Sequence, residues 1–418
     1  MPSTPPGPES HKPRLRSVLL VALAGMASMH AWVFFSLRQE VRQGYPDFTA
    51  FYAAGKCVQR GLGSQLYSTQ TQGRIQQEFA SGVKIRNGPL PFTHPPFEAV
   101  LFAPLAFLSY SGAYWVWNAV SLVALVAFLL LLGPHTPKLR GWSEALAFLC
   151  GLAFFPVFVC LLQGQDSLLL LLLFGLAFAE MKAGRNFVAG ICLGLALFRF
   201  QLVLPVMAVM LLRRRWKTVA GFAVTAAALV GVSAAVVGWR GLMNYPHELL
   251  QFSHVQAGGA MNPRIMPNLR GVVAGLAGDG NSAHLFLGAL SLALLAWAAW
   301  KWKAGGGQPE FDLGFGLTLV VAVMVSYHLM AHDLSVLLLP LLVAAEWLLR
   351  ERPTGMARWL TVAGIGLLFL SPIYFLLVRY QRFSAMFWAV ALLGAGLSLA
   401  SGYQDRAPLA QAAGNSGS

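Results

Sequence analysis

Charge is what this chain has least of. Asp, Glu, Lys and Arg make up 11 % of its 418 residues, against about 25 % in soluble globular proteins. That scarcity excludes an ordinary water-soluble enzyme. Hydrophobic residues at 57 % exclude a disordered chain. Acidic residues are scarcer still, 16 against 30 Lys and Arg, for a formal charge of +14. The four cysteines, Cys57, Cys150, Cys160 and Cys192, include no CxxC pair, so neither a disulfide framework nor a zinc site is indicated. No GxGxxG follows a strand, and GxxxxGK(S/T) and DxD are absent. There is no visible seat for a nucleotide or a metal-bound nucleotide sugar. HExxH and GxSxG are missing too, which leaves a metalloprotease or serine hydrolase unsupported.

What the chain does have is long apolar runs. They fall at 17–37, 112–133, 142–162, 167–181, 218–238, 283–300, 313–331, 334–349, 359–378 and 383–402. Most approach the ~20 residues that a bilayer crossing needs. The fold class expected is therefore an all-α integral membrane protein with 11–13 transmembrane segments. The first run is too long for a signal-peptide core and has no good cleavage site after it, so it reads as an uncleaved crossing. Residues 1–16 and 403–418 read as disordered tails around a membrane domain at 17–402.

The basic residues cluster between the runs, at Lys12–Arg16, Lys138–Arg140, Lys182–Arg185, Arg213–Lys217, Lys301–Lys303 and Arg350–Arg358. That is the pattern of the positive-inside rule and not of a nucleic-acid surface. With these clusters cytoplasmic, the long loop 38–95, the loop 239–280 and the turns at 163–166 and 332–333 lie outside. Within 38–95, residues 52–58 and 73–79 could form short interfacial helices. Two segments strain this scheme. Residues 186–212 have basic residues at both ends and Arg199-Phe200-Gln201 in the middle. A hairpin of two half-helices keeps both ends inside and Arg199 in the membrane. Residues 96–111 fit either a full crossing or a short helix at the outer interface.

Few residues could carry chemistry. Asp47, in Tyr45-Pro46-Asp47-Phe48, fits a helix N-cap or a general base at the mouth of a cavity; spacing alone favours the cap. His94, in Phe92-Thr93-His94-Pro95-Pro96-Phe97, fits a rigid helix start or a contact to phosphate or sugar. Arg199 within an apolar run is a functional candidate by default, and its planar fork suits a phosphate. His328 and His332, at i and i+4, would share a face if helical. They fit a polar helix end, substrate contacts or a metal pair, the last least, because nothing else completes a shell. Gln163-Gly164-Gln165-Asp166-Ser167 is a polar turn that would place Asp166 on the same side as Asp47.

These motifs, in order, resemble glycosyltransferase family 87, the polyprenyl-phosphate-mannose-dependent family. The resemblance runs through Asp47-Phe48-x-x-Phe51-Tyr52-Ala53-Ala54-Gly55, Leu66-Tyr67, His94-Pro95-Pro96-Phe97, Gln163-Gly164-Gln165-Asp166-Ser167, Arg199-Phe200-Gln201 and His332-Asp333. Relatives more often carry Lys-Pro where Arg199-Phe200 stand, and Asn where Asp166 stands. The resemblance implies a GT-C-type helical bundle with its site at the outer face of the cell (inner) membrane. It implies a polyprenyl-phosphate sugar donor in a membrane of lipids and a glycolipid, glycan or protein acceptor. No cofactor is expected; the absent DxD argues against a metal, and the charge pattern against a nucleic acid. Asp47 becomes the expected base, reversing the preference for a cap. Arg199 and His94 are expected at the donor phosphate. Tyr52, Gln165, Asp166, His328, His332 and Asp333 are expected at the substrates. The rival from another class is a transporter or flippase of lipid-linked sugars, which would show two-fold hydropathy repeats; none is visible.

Overall fold

The computed structural model describes residues 11–82, 88–142, 144–255, 262–302 and 308–403. Among these, 83 % are helical and none forms a strand, so the chain is an all-α polytopic membrane protein. The expected tails at 1–10 and 404–418 lie outside the described residues, as do 256–261 of the second outer loop. Residues 11–16, read as tail, are already helical, in His11–Ser36.

Seven helices are long and apolar enough to cross a membrane: Arg16–Ser36, Tyr110–His135, Asn186–Leu212, Trp216–Leu250, Asn281–Lys301, His332–Glu351 and Phe383–Ser401. Two bent pairs, 145–163 and 356–379, bring the number to nine. The expectation of 11–13 also counted the apolar helices Ser167–Lys182 and Gln308–Val325, which fall below that measure. Each bent pair turns by 63°. The cause is legible: Pro156 and Pro372 stand at the start of the second helix of each pair. Proline there removes a backbone donor and disfavours helix in the residue before it. Large apolar side chains face outward; Leu130 and Leu292 are 72 % and 70 % exposed, a surface suited to lipid.

Residues 96–111 do not cross. They form a short helix, Pro96–Phe102, and a 3-10 turn, Pro104–Phe107, before the Tyr110–Leu132 helix starts under a Ser109 cap. The loop 38–95 folds into Arg38–Arg42, Phe48–Gln59 and Thr69–Gln77. Its helices build a second apolar core around Phe48, Phe51, Tyr52, Phe92 and Phe102, which joins Tyr110, Tyr114 and Trp117 of the long helix.

Residues 186–212 pass as one span by length and composition, but their halves are not collinear. The 3-10 turn Ala196–Arg199 separates Asn186–Leu195 from Phe200–Leu212, and Arg199 has non-helical φ −113° and ψ 54°. The next helix starts at Trp216, and its first turns lie against the first turns of the 186–195 helix. A Cβ at Gly190 would overlap the Thr218 carbonyl, and one at Gly221 would overlap the Phe187 carbonyl. Were the 27 residues straight, those ends would stand ~40 Å apart. The chain therefore reverses at 196–199, as the two basic ends required.

Candidate active site

The site forms where four irregular stretches converge. The first is the start of the Phe48–Gln59 helix. Asp47 occupies its N-cap position, but its side chain makes no capping bond. The carboxylate is turned away and Oδ2 accepts a hydrogen bond from Gln165 Nε2 at 2.8 Å. The Asp47 backbone N–H donates to Gln163 Oε1 at 3.1 Å. The capping geometry that spacing favoured is thus replaced by contacts to a distant turn.

That turn, 163–167, is the second stretch. Gly164 ends the Phe155–Gln163 helix in the left-handed region at φ 62°. A Cβ there would stand 2.7 Å from Phe48 Cβ. Glycine is thus needed twice, for the backbone and for the close approach. The approach sets Gln163 and Gln165 against Asp47, and Trp117 Nε1 donates to the Gln165 carbonyl at 3.3 Å.

The third stretch is the reversal at 196–199. Arg199 is buried, and its Nε donates to Asp166 Oδ1 at 2.6 Å. Its Nη2 donates to Gln165 Oε1. Its Nη1 lies farther off, 3.5 Å from Asp333 Oδ1. One guanidinium therefore holds both the Asp166 carboxylate and the Gln165 amide, and that amide holds Asp47. An unpaired charge at this depth would be costly; these partners are what make Arg199 tolerable.

The fourth stretch is 326–337. The helix Gln308–Val325 stops short of it, and His332–Leu337 is a 3-10 helix. His328 lies in the non-helical link, so the two histidines do not share a helical face, contrary to the expectation. Asn268 explains the break: its Nδ2 donates to the Ser326 carbonyl at 2.6 Å. Asp333 is fully buried; Oδ2 accepts from the Met330 N–H at 2.9 Å and Oδ1 from Ser167 Oγ at 3.3 Å. His332 Nε2 lies 3.6 Å from Asp333 Oδ1. His328 is close enough to Asp333 and Arg199 to feel both charges.

His94 stands beside the cluster, packed between Phe51 and Phe92 with ring centroids 4.8 and 5.5 Å away. Its Nδ1 is 2.8 Å from Glu98 Oε2. Burial, with Arg199 nearby, holds the imidazole down to about 4. It is neutral at physiological pH and can offer a hydrogen bond but not a charge. Tyr52 is not at this cluster. Its hydroxyl donates to the Leu108 carbonyl at 2.6 Å, and its ring packs on Phe79 and Tyr110.

Glu98 was not foreseen. It is buried in the Pro96–Phe102 helix and joins His94 to Asp166. The signal was present: it sits at i+4 from His94, where a helical start would bring the two together. One ring nitrogen of His94 and one oxygen each of Glu98 and Asp166 lie within 4.8 Å of one another, the one such grouping of three possible metal ligands among the described residues. As a whole the site offers a half-buried carboxylate, a set of buried acids, the buried His332, the partly buried His94 and His328, and a guanidinium, which suits proton removal from a hydroxyl beside an anion.

Comparison with known proteins points the same way. The chain is 28 % identical over 325 residues to a polyprenol-phosphate-mannose-dependent alpha-(1-2)-phosphatidylinositol mannoside mannosyltransferase of Mycolicibacterium smegmatis, covering 72 % of this chain and 71 % of the relative. It is 27 % identical over 293 residues to a phosphatidylinositol pentamannoside mannosyltransferase of the same organism, covering 68 % and 67 %. A pentamannoside mannosyltransferase of Mycobacterium tuberculosis is 28 % identical over 294 residues, covering 66 % and 64 %. No solved structure matches the chain significantly. The sequence profile of glycosyltransferase family 87 matches residues 92–331. That stretch is more than half of the chain and holds His94, Gln165, Asp166, Arg199 and His328, so the protein belongs to glycosyltransferase family 87 and is a membrane glycosyltransferase.

Proposed function

We propose that the protein transfers a mannosyl unit from a polyprenyl-phosphate donor to a hydroxyl of a glycolipid acceptor, at the outer face of the cell membrane, with Asp47 as general base. The observation that carries this reading is the tether on Asp47. Its carboxylate is at a helix start but not spent on capping, and Gln165, itself held by Arg199, fixes its orientation.

The reaction is a single displacement. The acceptor oxygen attacks the anomeric carbon, and its proton passes to the Asp47 carboxylate. The bond from that carbon to the phosphate oxygen breaks, and the electron pair leaves with the polyprenyl phosphate. One displacement inverts the anomeric centre. The donor arrives already activated, so no nucleotide seat is needed. The leaving phosphate gains charge, which a cation in a water-poor site stabilises strongly. Arg199 supplies that cation, and Nη1 is its most loosely held nitrogen. His94, His328 and His332 stand near enough to donate hydrogen bonds. No residue in this scheme calls for a metal.

The distribution of charge supports the outer-face reading. The basic turns at 182–185 and 213–217 lie at one end of the 186–212 reversal, and Arg199 lies at the other. The test is transfer of radiolabelled mannose from synthetic polyprenyl-phosphate mannose by purified protein in lipid, with a membrane glycolipid extract as acceptor and EDTA in a parallel tube. Product with wild type and not with Asp47→Asn is the expected result. Equal transfer by both removes Asp47 from the mechanism, and loss with EDTA removes the metal-free scheme.

A further inference from the structure

Three carboxyl groups, Glu98, Asp166 and Asp333, lie around the guanidinium of Arg199, and Asp47 is joined to it through Gln165. Glu98 and Asp166 are 2 % and 0 % exposed. One oxygen of each, Glu98 Oε1 and Asp166 Oδ2, has no hydrogen-bond donor. The two groups lie close together in the cluster with a ring nitrogen of His94. Two ionised carboxylates this close and this deeply buried would repel at low dielectric. A single proton held between the two side chains would relieve that repulsion.

We propose that Glu98 and Asp166 hold one proton between them, and that Glu98 is thereby a positioning residue that keeps the Arg199 end of the site receptive to the donor's phosphate. The groups that face the pair are consistent with this. His94 contacts Glu98 from the preceding loop, and Arg199 contacts Asp166 from the 196–199 turn. Asp333 and His332 approach from the 3-10 segment and Asp47 from the Phe48–Gln59 helix start. The Cys160 thiol and the phenols of Tyr67 and Tyr245 complete the surround. Arg199 is thus the one fixed positive charge among the groups named, and a second full negative charge beside it would oppose an incoming phosphate. Burial pushes both carboxyls up, Glu98 to about 7 and Asp166 to about 7, although Arg199 pulls each the other way. Both residues lie outside the membrane-spanning helices. A bound cation would also neutralise the pair, but Arg199 already occupies Asp166 Oδ1, and His94 Nδ1 lies 2.8 Å from Glu98 Oε2. A proton answers the two unpartnered oxygens with fewer parts.

The sign follows. As pH rises through the pair's range the proton leaves and the site becomes more negative. Donor KM should then rise. At an effective dielectric near 20, one added charge at a separation of about 8–10 Å would correspond to roughly a 15–30-fold increase.

The direct test is infrared spectroscopy of the purified full chain in an ester-free detergent, titrated from about pH 6 to pH 8.5. A protonated-carboxyl carbonyl band, shifting on exchange into deuterium oxide, should be present at the acid end and disappear across the titration. It should be missing from Glu98→Gln and from Asp166→Asn. This readout does not depend on turnover, so it stands apart from the glycosyltransferase reading that the KM argument rests on. In the transfer assay, the pH dependence of donor KM should flatten in Glu98→Gln, which a merely structural role would not produce. If Glu98→Gln fails to fold, the wild-type band and its titration still decide. Absence of that band in wild type, or a stoichiometric divalent cation in purified wild type that is lost with Glu98→Gln, would overturn the proposal.

Discussion

Gln165 Nε2 donates to Asp47 Oδ2 at 2.8 Å, joining residues 118 positions apart. The Gln165 carbonyl oxygen of the same amide accepts from Arg199, so the amide cannot flip without losing both bonds. The proposed base is aimed by a side chain that Arg199 in turn holds. Asp47→Asn keeps the volume and should lower turnover by about 10²–10⁴, the usual worth of general-base help. Gln165→Leu keeps the base but frees it, and should lower kcat by up to about 10² through misplacement alone. Steady-state kinetics on the two variants give the order. A larger loss for Gln165→Leu than for Asp47→Asn would reverse the roles assigned here.

Arg199 is held by Asp166, Gln165 and Asp333 at full burial. Arg199→Met would strand two buried carboxylates, and breaking such a pair costs roughly 3–5 kcal/mol. Arg199→Lys keeps the charge but not the fork, so the Asp166 and Gln165 contacts cannot both survive. The expected result is a large drop in thermal stability for Met. Lys should show a smaller one, together with weaker donor binding. Thermal unfolding in detergent and donor KM separate the two, and unchanged stability in Arg199→Met would mean that the cluster is not what holds the turn.

Gly164 turns that cluster toward Asp47. Its backbone is left-handed, and a methyl group would press on Phe48. Gly164→Ala should therefore behave like a partial Gln165 deletion: transfer falls while the bulk of the bundle stays folded. Gly112, in the first turn of the Tyr110–Leu132 helix, is a natural control, since its Cβ would meet the Ser109 hydroxyl at 3.2 Å, a contact that can yield. If Gly164→Ala and Gly112→Ala leave transfer equally intact, the close approach to Phe48 does not position the site.

Much of this was legible before any coordinates, and for physical reasons. Apolar runs, basic turns and an arginine stranded in a run are one-dimensional signals, and they located the spans, the reversal at 196–199 and Arg199. The proposal of Asp47 as base came only through family resemblance, because a carboxylate one residue before a helix reads first as a cap. What stayed hidden depends on where helices stop. The 308–325 helix ends early because the Asn268 amide captures the Ser326 carbonyl, 58 positions away, and no local rule forecasts that. The same break dissolves the expected i, i+4 pairing of His328 and His332. Tyr52 was placed at the substrates because it shares a motif with Asp47. Five residues on, the helix has carried its hydroxyl to the Leu108 carbonyl instead.

The reversal at 196–199 gives the sharpest topological forecast. Ala183 and Lys217 are both exposed and flank the 186–212 segment. If that segment were one straight crossing, they would sit on opposite faces of the membrane, ~40 Å apart along a 27-residue helix. In the structure the helix after Lys217 packs its first turns on the first turns of the 186–195 helix, through Gly190 and Gly221. Both positions must then lie at the same face. Cysteines introduced singly as Ala183→Cys and Lys217→Cys should react with a membrane-impermeant maleimide from one side only, and from the same side. Gln70→Cys, exposed on the long loop, should react from the other side. The native background is low, because Cys57, Cys160 and Cys192 are buried and Cys150 is half-buried. Labelling of Ala183→Cys and Lys217→Cys from opposite faces would break the reversal, and with it the placement of Arg199 beside Asp166.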